Sequence, residues 1–141
     1  MKAVIRIVGK VGIEKDVKET LNRLRIRKKF SCVILRGKPE IIGMIEKVRN
    51  FVAYGDISKE TFIKLLEKRG KKINKQAKLE SQKIAEEFFS GKIERNYEDF
   101  NLKPFFSLHP PRGGIKTKIH FPKGVLGNHQ DKIKLLIERM L

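Results

Sequence analysis

The sequence predicts an α+β protein, because three β-rich runs alternate with two amphipathic helical patterns within about the first 57 residues. β-Branched and aromatic residues, which favour strands, enrich the runs 3–8, 32–35 and 51–54. Between these runs, residues 14–24 and 39–48 place apolar side chains at helical spacing. The β-α-β-α-β order predicts one small sheet with two helices on a face, and the remainder of the 141-residue chain packs on this unit or extends from it.

The first strand is expected to be buried mostly on one side, because its residues alternate between two faces. Ala3, Ile5 and Ile7 share the apolar face, and Arg6 falls on the other. A loop bracketed by glycines follows at residues 9–12. It lacks the lysine-serine/threonine ending of a P-loop, so it implies no nucleotide site.

A basic connector, residues 23–29, joins the first helix to the second strand. Its cations are Arg23, Arg25, Arg27, Lys28 and Lys29. Five like charges without an intervening acid repel one another unless an anion neutralises them, which favours contact with phosphates over a solvated connector. An extended connector could carry the chain some distance across the molecule, so the sequence leaves the strand directions open.

The second helix is expected to begin near Pro39, because proline suits the first helical turn. Lys47 and Arg49 fall outside its apolar stripe and are candidates for phosphate contact. Gly43 lies in the helix interior, where glycine costs about 1 kcal/mol relative to alanine. We interpret Gly43 as a point of close approach, either to the sheet or to a partner, so that alanine there should fail to stabilise the protein.

The second half of the chain, residues 58–141, predicts a helical extension. Ser58 is expected to cap a helix that ends near Gly70, and a further helix is predicted over residues 76–89. The basic loop between them supplies Lys71, Lys72 and Lys75, for which phosphate contact and simple solvation are equally open. The apolar segment 102–108 contains a proline, which a sheet edge tolerates.

A proline- and glycine-rich loop with the sequence HPPRGG occupies residues 109–114 and excludes regular structure. His109 and Arg112 are candidate contacts to a partner, and Gly113 and Gly114 would let a phosphate approach the main chain. A loop that folds only onto its own protein is the alternative.

A basic arm and a last helix follow this loop. The arm contains Lys116 and Lys118, and Asn128 is expected to cap the final helix.

The charge balance predicts a polyanionic partner, since 33 lysines and arginines against 16 acids give a net charge of +17 and a pI near 10.2. Nucleic acid is preferred to an anionic membrane, because no apolar run approaches the ~20 residues of a spanning helix and no signal-peptide pattern opens the chain. The single cysteine, Cys32, lies in an apolar strand, which fits a reducing cytoplasm. We therefore interpret the cationic candidates as RNA-binding and expect Arg27, Lys28 and Lys29 to serve RNA binding rather than stability.

Three histidines raise the remote alternative of a small basic ribonuclease, in which two of them would act as acid and base. No carboxylate cluster accompanies them in the sequence, and one cysteine with scattered histidines matches no metal-ligand spacing. We expect no enzyme activity, no cofactor, no metal and no small-molecule substrate.

The segment 37–48 reads GKPEIIGMIEKV and resembles the hallmark of the large-subunit ribosomal protein thirty (uL30) family. Three further motifs resemble the extended archaeal and eukaryotic form: YGDI at 54–57, LEKRG at 66–70 and LHPPRGG at 108–114. Lys38 departs from the threonine or other small polar residue that commonly precedes the proline in the family, and the stretch 113–127 is shorter than in longer relatives.

This resemblance implies a ferredoxin-like β-α-β-α-β core at residues 1–57 with a small antiparallel sheet, within a single domain spanning 1–141. It also implies a structural place in the large subunit of the cytoplasmic ribosome, bound to ribosomal RNA and beside neighbouring ribosomal proteins. A free RNA-binding or RNA-chaperone protein outside the ribosome needs the same basic faces and stays open at this point.

Overall fold

A mixed five-stranded sheet forms the centre of the molecule. The computed structural model describes residues 1–9, 11–71, 81–90, 103, 105–115, 117 and 119–141. Within these residues the strands are β1 (Lys2–Arg6), β2 (Ser31–Leu35), β3 (Val52–Asp56), β4 (Phe106–Ser107) and β5 (Gly127–Asn128). Their order across the sheet is β4-β2-β1-β3-β5.

The strand directions, which the sequence left open, are antiparallel for β1 with β2, β1 with β3 and β2 with β4. The small antiparallel sheet expected for the core at residues 1–57 is confirmed, and outside that core β5 adds to β3 as a parallel edge strand. The predicted edge segment is confirmed at β4, where Phe106 stands opposite Cys32 in the ladder. The α+β class is confirmed, with a core of ferredoxin-like character.

Five helices are described, and local sequence signals explain where several of them begin. They are α1 (Lys15–Arg23), α2 (Pro39–Lys47), α3 (Lys59–Arg69), α4 (Ser81–Ser90) and α5 (Ile133–Met140). Pro39 occupies the first turn of α2, as predicted. The Ser58 hydroxyl accepts a hydrogen bond from the Thr61 N–H at 3.3 Å, which confirms the predicted cap of α3. Residues 76–80 of the predicted fourth helix lie outside the described residues.

The sheet is buried on both faces, which corrects the expectation of burial mostly on one side. Val4 and Val33 pack with residues of α1 and α2, as the two-helix arrangement predicted. Ala3 and Ile5 point to the opposite face, where α3, α4 and α5 form a second layer. Strand alternation alone underestimates burial here, because the covering layer comes from residues far along the chain.

Gly55 lies inside β3. The strand continues to Asp56, two residues past the run 51–54 predicted from the sequence. A side chain at position 55 would collide with the Gln130 carbonyl oxygen and would stand 2.9 Å from Cβ of Ile133. A short 3₁₀ turn, Gln130–Lys132, therefore packs directly on the β3 backbone.

The prediction that Asn128 caps the final helix is wrong, because the N-cap of α5 is Lys132 and that of the 3₁₀ turn is His129. The Asn128 amide oxygen instead accepts from the Gln130 N–H at 2.9 Å, two residues along the chain.

No helix in the described part of the chain combines the length and the hydropathy that crossing a bilayer requires.

Candidate nucleic-acid interface

The basic connector is folded tightly against the molecule and is not extended. Its backbone continues from α1 through hydrogen bonds from Arg25 N–H to Asn22 at 3.0 Å and from Ile26 N–H to Leu21 at 3.1 Å. Leu24 and Ile26 are buried, whereas the side chains at 23, 25, 27, 28 and 29 are exposed. Alternation of apolar and basic residues therefore anchors the backbone and directs the cations to solvent.

Arg6 fixes the position of the connector from inside the protein. Its side chain is 1% exposed and donates to the carbonyl oxygens of Ile26 at 3.0 Å and Arg27 at 2.8 Å. It also donates to the carbonyls of Val8 at 3.0 Å and Gly9 at 3.3 Å. Burial lowers the pKa of the Arg6 guanidinium, which nonetheless stays charged because arginine does not deprotonate in proteins. Four carbonyl dipoles thus hold the guanidinium and, through it, the connector.

A concave surface of about 570 Å³, which we name the basic groove, lies beside the connector. Its lining consists of Asn22, Arg23, Arg25, Arg27, Lys28, Ser31, Lys71, Phe105 and Ser107. The strand register creates the groove, because Ser31 of β2 stands opposite Ser107 of β4. Because the pairing is antiparallel, the connector before β2 and Phe105 before β4 lie on either side of this serine pair and line the groove from its two ends.

Lys71 brings a fifth cation into the basic groove from the end of α3. Its ammonium donates to the Ser107 hydroxyl at 3.3 Å and stands 6.0 Å from the centre of the Phe105 ring. Its backbone carbonyl accepts from the Lys103 N–H at 2.8 Å, which ties the α3 end to the segment before β4. The side chain is exposed, so the ammonium faces both the groove and solvent.

The basic groove is strongly positive because little neutralises its cations. Arg23 pairs with Glu19 at 2.7 Å on the exposed surface of α1. Among the described residues, the ion pairs do not include Arg25, Arg27 or Lys28. Clustered cations beside a low-dielectric wall concentrate positive potential, which attracts a phosphate backbone.

The other predicted cations are spread over the molecule. Lys29 lies next to the basic groove in sequence but places its ammonium 5.0 Å from the ring centre of Phe30. Lys47 and Arg49 are exposed at the end of α2, and neither lines the groove. Four predicted candidates lie outside the described residues: Lys72, Lys75, Lys116 and Lys118.

The HPPRGG loop is ordered by contact with α5. The Arg139 guanidinium donates to the carbonyls of Arg112 at 2.9 Å and Gly114 at 2.7 Å, and the Arg112 N–H donates to the Arg139 carbonyl at 3.0 Å. Gly113 and Gly114 have φ values of +81° and +73°, which explains the need for glycine at both positions. His109 contacts the Leu141 carbonyl through Nε2 at 2.6 Å, so it serves the protein's own packing. The Arg112 side chain remains exposed.

Gly43 does not approach the sheet, which corrects one of the two readings of this residue. It is exposed on α2, and a Cβ built there meets nothing within 4 Å. Contact with a partner is the reading that stays open.

The histidines and the cysteine do not form a catalytic arrangement in the described part of the chain. His120 Nε2 contacts the Asn50 amide oxygen at 2.8 Å, and His129 Nε2 donates to the Val125 carbonyl at 2.6 Å. Burial lowers the pKa of His129, and its bond to Val125 partly opposes this shift. Burial raises the pKa of Cys32 to about 12, so its thiol stays protonated and unreactive at neutral pH. The described residues also contain no group of three or more side chains suited to a metal ion.

Sequence reasoning missed Phe105 and Arg6, and it also missed the polar residues that line the groove, Asn22, Ser31 and Ser107. Phe105 was assigned to an apolar edge segment, but its place in the basic groove depends on a strand pairing that no local pattern reveals. Arg6 was placed on the outer face of β1, although a lone arginine among apolar strand residues is a signal for a buried cation that binds carbonyl groups.

The sheet, its two helical layers and the basic groove define a small, strongly basic α+β protein with a ferredoxin-like core. A family model described as Ribosomal protein L30p/L7e matches residues 2–52. Relatives along nearly the whole chain carry the name Large ribosomal subunit protein uL30. The protein of Archaeoglobus fulgidus is 39% identical over 152 residues and covers 99% of both chains.

Two other archaeal relatives have the same name. The protein of Pyrobaculum arsenaticum is 38% identical over 99% of this chain and 93% of its own length. The protein of Methanococcus vannielii is 35% identical over 99% of this chain and 98% of its own length. The chain therefore belongs to the uL30 family of ribosomal proteins, which confirms the resemblance identified from its motifs.

Proposed function

We propose that this protein is a structural constituent of the large ribosomal subunit, where it binds ribosomal RNA through the basic groove. The observation that carries the proposal is the convergence of four connector cations with Lys71 on one concave surface. The names of the archaeal relatives support the place in the large subunit. The net charge of +17 supports a polyanionic partner. The corresponding location is the cytoplasm, on the ribosome.

The basic groove suits RNA because its cations are exposed while their backbone is fixed. Arg6 holds the connector from inside, so phosphate binding at the groove does not require the backbone to become ordered. Contacts of lysine and arginine with phosphates position a protein on its RNA without reading the bases. The role that follows is docking and stabilisation of a folded RNA, with no chemical step.

Additional surfaces contribute to the proposed RNA interface. Lys29, Lys47, Arg49 and Arg112 are exposed cations outside the basic groove. We keep Lys72, Lys75, Lys116 and Lys118 in the interface on the grounds of sequence. We further propose that the exposed surface of α2 around Gly43 meets RNA or a neighbouring ribosomal protein.

The second candidate is a free RNA-binding or RNA-chaperone protein outside the ribosome. Co-sedimentation separates the two candidates, since a structural constituent stays with the large subunit in high salt. A protein found only in ribosome-free fractions would favour the second candidate.

The test of the basic groove is removal of its charges without disturbing the fold. We expect the triple variant Arg25→Gln, Arg27→Gln, Lys28→Gln to bind RNA more weakly whatever the RNA sequence. The slope of log affinity against log salt should fall by up to about three units, roughly one for each lost phosphate contact. At about 200 mM salt, where repulsion between exposed charges is largely screened, the melting temperature should hardly change, because all three side chains are exposed.

The matched control removes three exposed lysines elsewhere, in the variant Lys15→Gln, Lys18→Gln, Lys134→Gln. It lowers the net charge equally and should change the salt slope less. Equal slopes for the two triple variants would mean that the RNA contacts lie outside the basic groove. Affinities measured between about 50 and 200 mM salt cover the range where phosphate contacts have a large effect.

A further inference from the structure

The basic groove is concave, and a concave surface can enclose a larger part of a nucleotide than its phosphate. Its volume of about 570 Å³ falls in the range of pockets that enclose a small molecule. A phosphate backbone by itself needs only a positive surface. A concavity with an aromatic ring and hydroxyl groups offers binding to a base as well.

The walls of the basic groove differ in chemistry. One wall is the connector, whose arginines and Lys28 suit phosphates. The opposite wall carries the half-buried ring of Phe105 with Lys71 beside it, and the β2–β4 pair places Ser31 and Ser107 between the walls. A nucleotide has the same division, with a charged phosphate at one end and an aromatic base at the other.

Phe105 is the residue that distinguishes a base from a phosphate. Every base has a π-face, so stacking on an aromatic side chain tolerates any sequence and contributes substantially to binding. Bases within a duplex are already stacked on each other and cannot reach such a ring. Bulged and single-stranded nucleotides expose the faces and edges that proteins recognise in RNA.

We infer that the basic groove binds one unstacked nucleotide of the RNA, with the base against Phe105 and the flanking phosphates on the connector cations. The Asn22 amide, which also lines the groove, can donate to and accept from the edge of the base. The inference rests on the proposed function, and it adds that the preferred RNA contains a bulge or an unpaired loop.

The experiment compares two RNA hairpins with the same stem, one fully paired and one carrying a single bulged 2-aminopurine. The full-length protein should bind the bulged hairpin more tightly, and 2-aminopurine fluorescence should change on binding as the base leaves one stacking environment for another. Phe105→Leu should reduce the preference for the bulged hairpin by about 5-fold or more, the loss expected for one base–aromatic stack. The salt slope should stay as in the wild type, since no phosphate contact is removed.

Two companion variants keep the result decisive. Phe105→Trp retains an aromatic face and should retain the preference, even if Phe105→Leu does not fold. Phe89→Leu removes another half-buried ring, outside the groove, and should leave the preference unchanged.

Equal affinity for the two hairpins, or a preference that Phe105→Leu leaves intact, would overturn the inference while RNA binding through the basic groove stands. Loss of binding to both hairpins in the triple glutamine variant supports the proposed function independently. Absence of salt-dependent binding to either hairpin by the wild type would reject the proposed function and the inference together.

Discussion

At the scale of single residues, Arg6 shows how a buried charge stabilises a surface that it never reaches. Among the residues that the structure describes, its guanidinium has no carboxylate partner, and it donates to four backbone carbonyls. Two of these carbonyls belong to the connector. The residue after the connector, Phe30, donates its N–H to the Arg6 backbone carbonyl at 2.7 Å. The exposed cations at 25, 27 and 28 depend on this buried one for their placement.

Replacing Arg6 should therefore destabilise the protein although no charge pair is broken. Arg6→Met keeps an unbranched stem but leaves buried carbonyls unpaired, each at a cost of about 1–3 kcal/mol. We expect the free energy of unfolding to fall by roughly 2–4 kcal/mol for this reason. Urea unfolding followed by circular dichroism measures the change.

Arg27→Gln is the control, because it removes an exposed guanidinium from the same connector. It should alter stability little. If Arg6→Met and Arg27→Gln unfold at the same urea concentration, the carbonyl contacts of Arg6 do not stabilise the fold.

The residues that could be predicted from the sequence act over short distances along the chain. Pro39 and Ser58 start helices within a few residues of themselves, so their roles follow from local rules. Arg6 acts on carbonyls 20 and 21 residues away. The collision partner of Gly55 is Gln130, in the last part of the described chain. Such contacts depend on the tertiary fold, which periodicity does not encode.

At the scale of elements, the three long strands and the helices were predictable because apolar periodicity and end signals coincide in each. The two-residue strands β4 and β5 are too short for a periodic pattern. Their positions determine much of the candidate site, since β4 places Phe105 and Ser107 in the lining of the basic groove. The cations of the basic groove could thus be predicted from the sequence, but the contribution of Phe105 and Ser107 could not.

Two glycines in different elements should respond oppositely to alanine. Gly43 lies on the open face of α2, where a Cβ meets no neighbour. This reverses the expectation from the sequence, and alanine there should stabilise the free protein by up to about 1 kcal/mol. Gly55 lies in β3 against the 3₁₀ turn, where a methyl group collides with backbone and should destabilise it by about 1–3 kcal/mol. Thermal melts show whether each variant is more or less stable than the wild type.

RNA affinity of Gly43→Ala then tests the remaining role of this residue. Weaker binding by a variant that melts higher would place a partner against this face of α2. Unchanged binding would mean that the glycine has no part in the interface, and a lower melting temperature would contradict the open environment of Gly43.

At the scale of the whole molecule, the charge of +17 acts on stability and on binding with opposite signs. Cations of the free protein repel one another, and at 0.1 M salt this repulsion is largely screened beyond a Debye length of ≈ 10 Å. The same salt weakens attraction to phosphates. A change in salt concentration therefore shifts the stability of the free protein and its affinity for RNA in opposite directions.

Raising sodium chloride from about 50 to about 500 mM should raise the melting temperature of the free protein, while RNA affinity falls over the same range. The variant lacking the charges of Arg25, Arg27 and Lys28 should show a smaller rise, because it begins with less repulsion. A melting temperature that is flat or decreasing in salt would mean that the fold already neutralises its own charge.

The edges of the sheet have a consequence for the free protein. The three five-residue strands occupy the centre, and each described edge strand has only two residues. Long, unpaired edges are templates on which other chains add strands and aggregate, and very short edge strands remove that template. We therefore expect copies of the free protein to resist joining edge to edge, because neither described edge strand offers a long template.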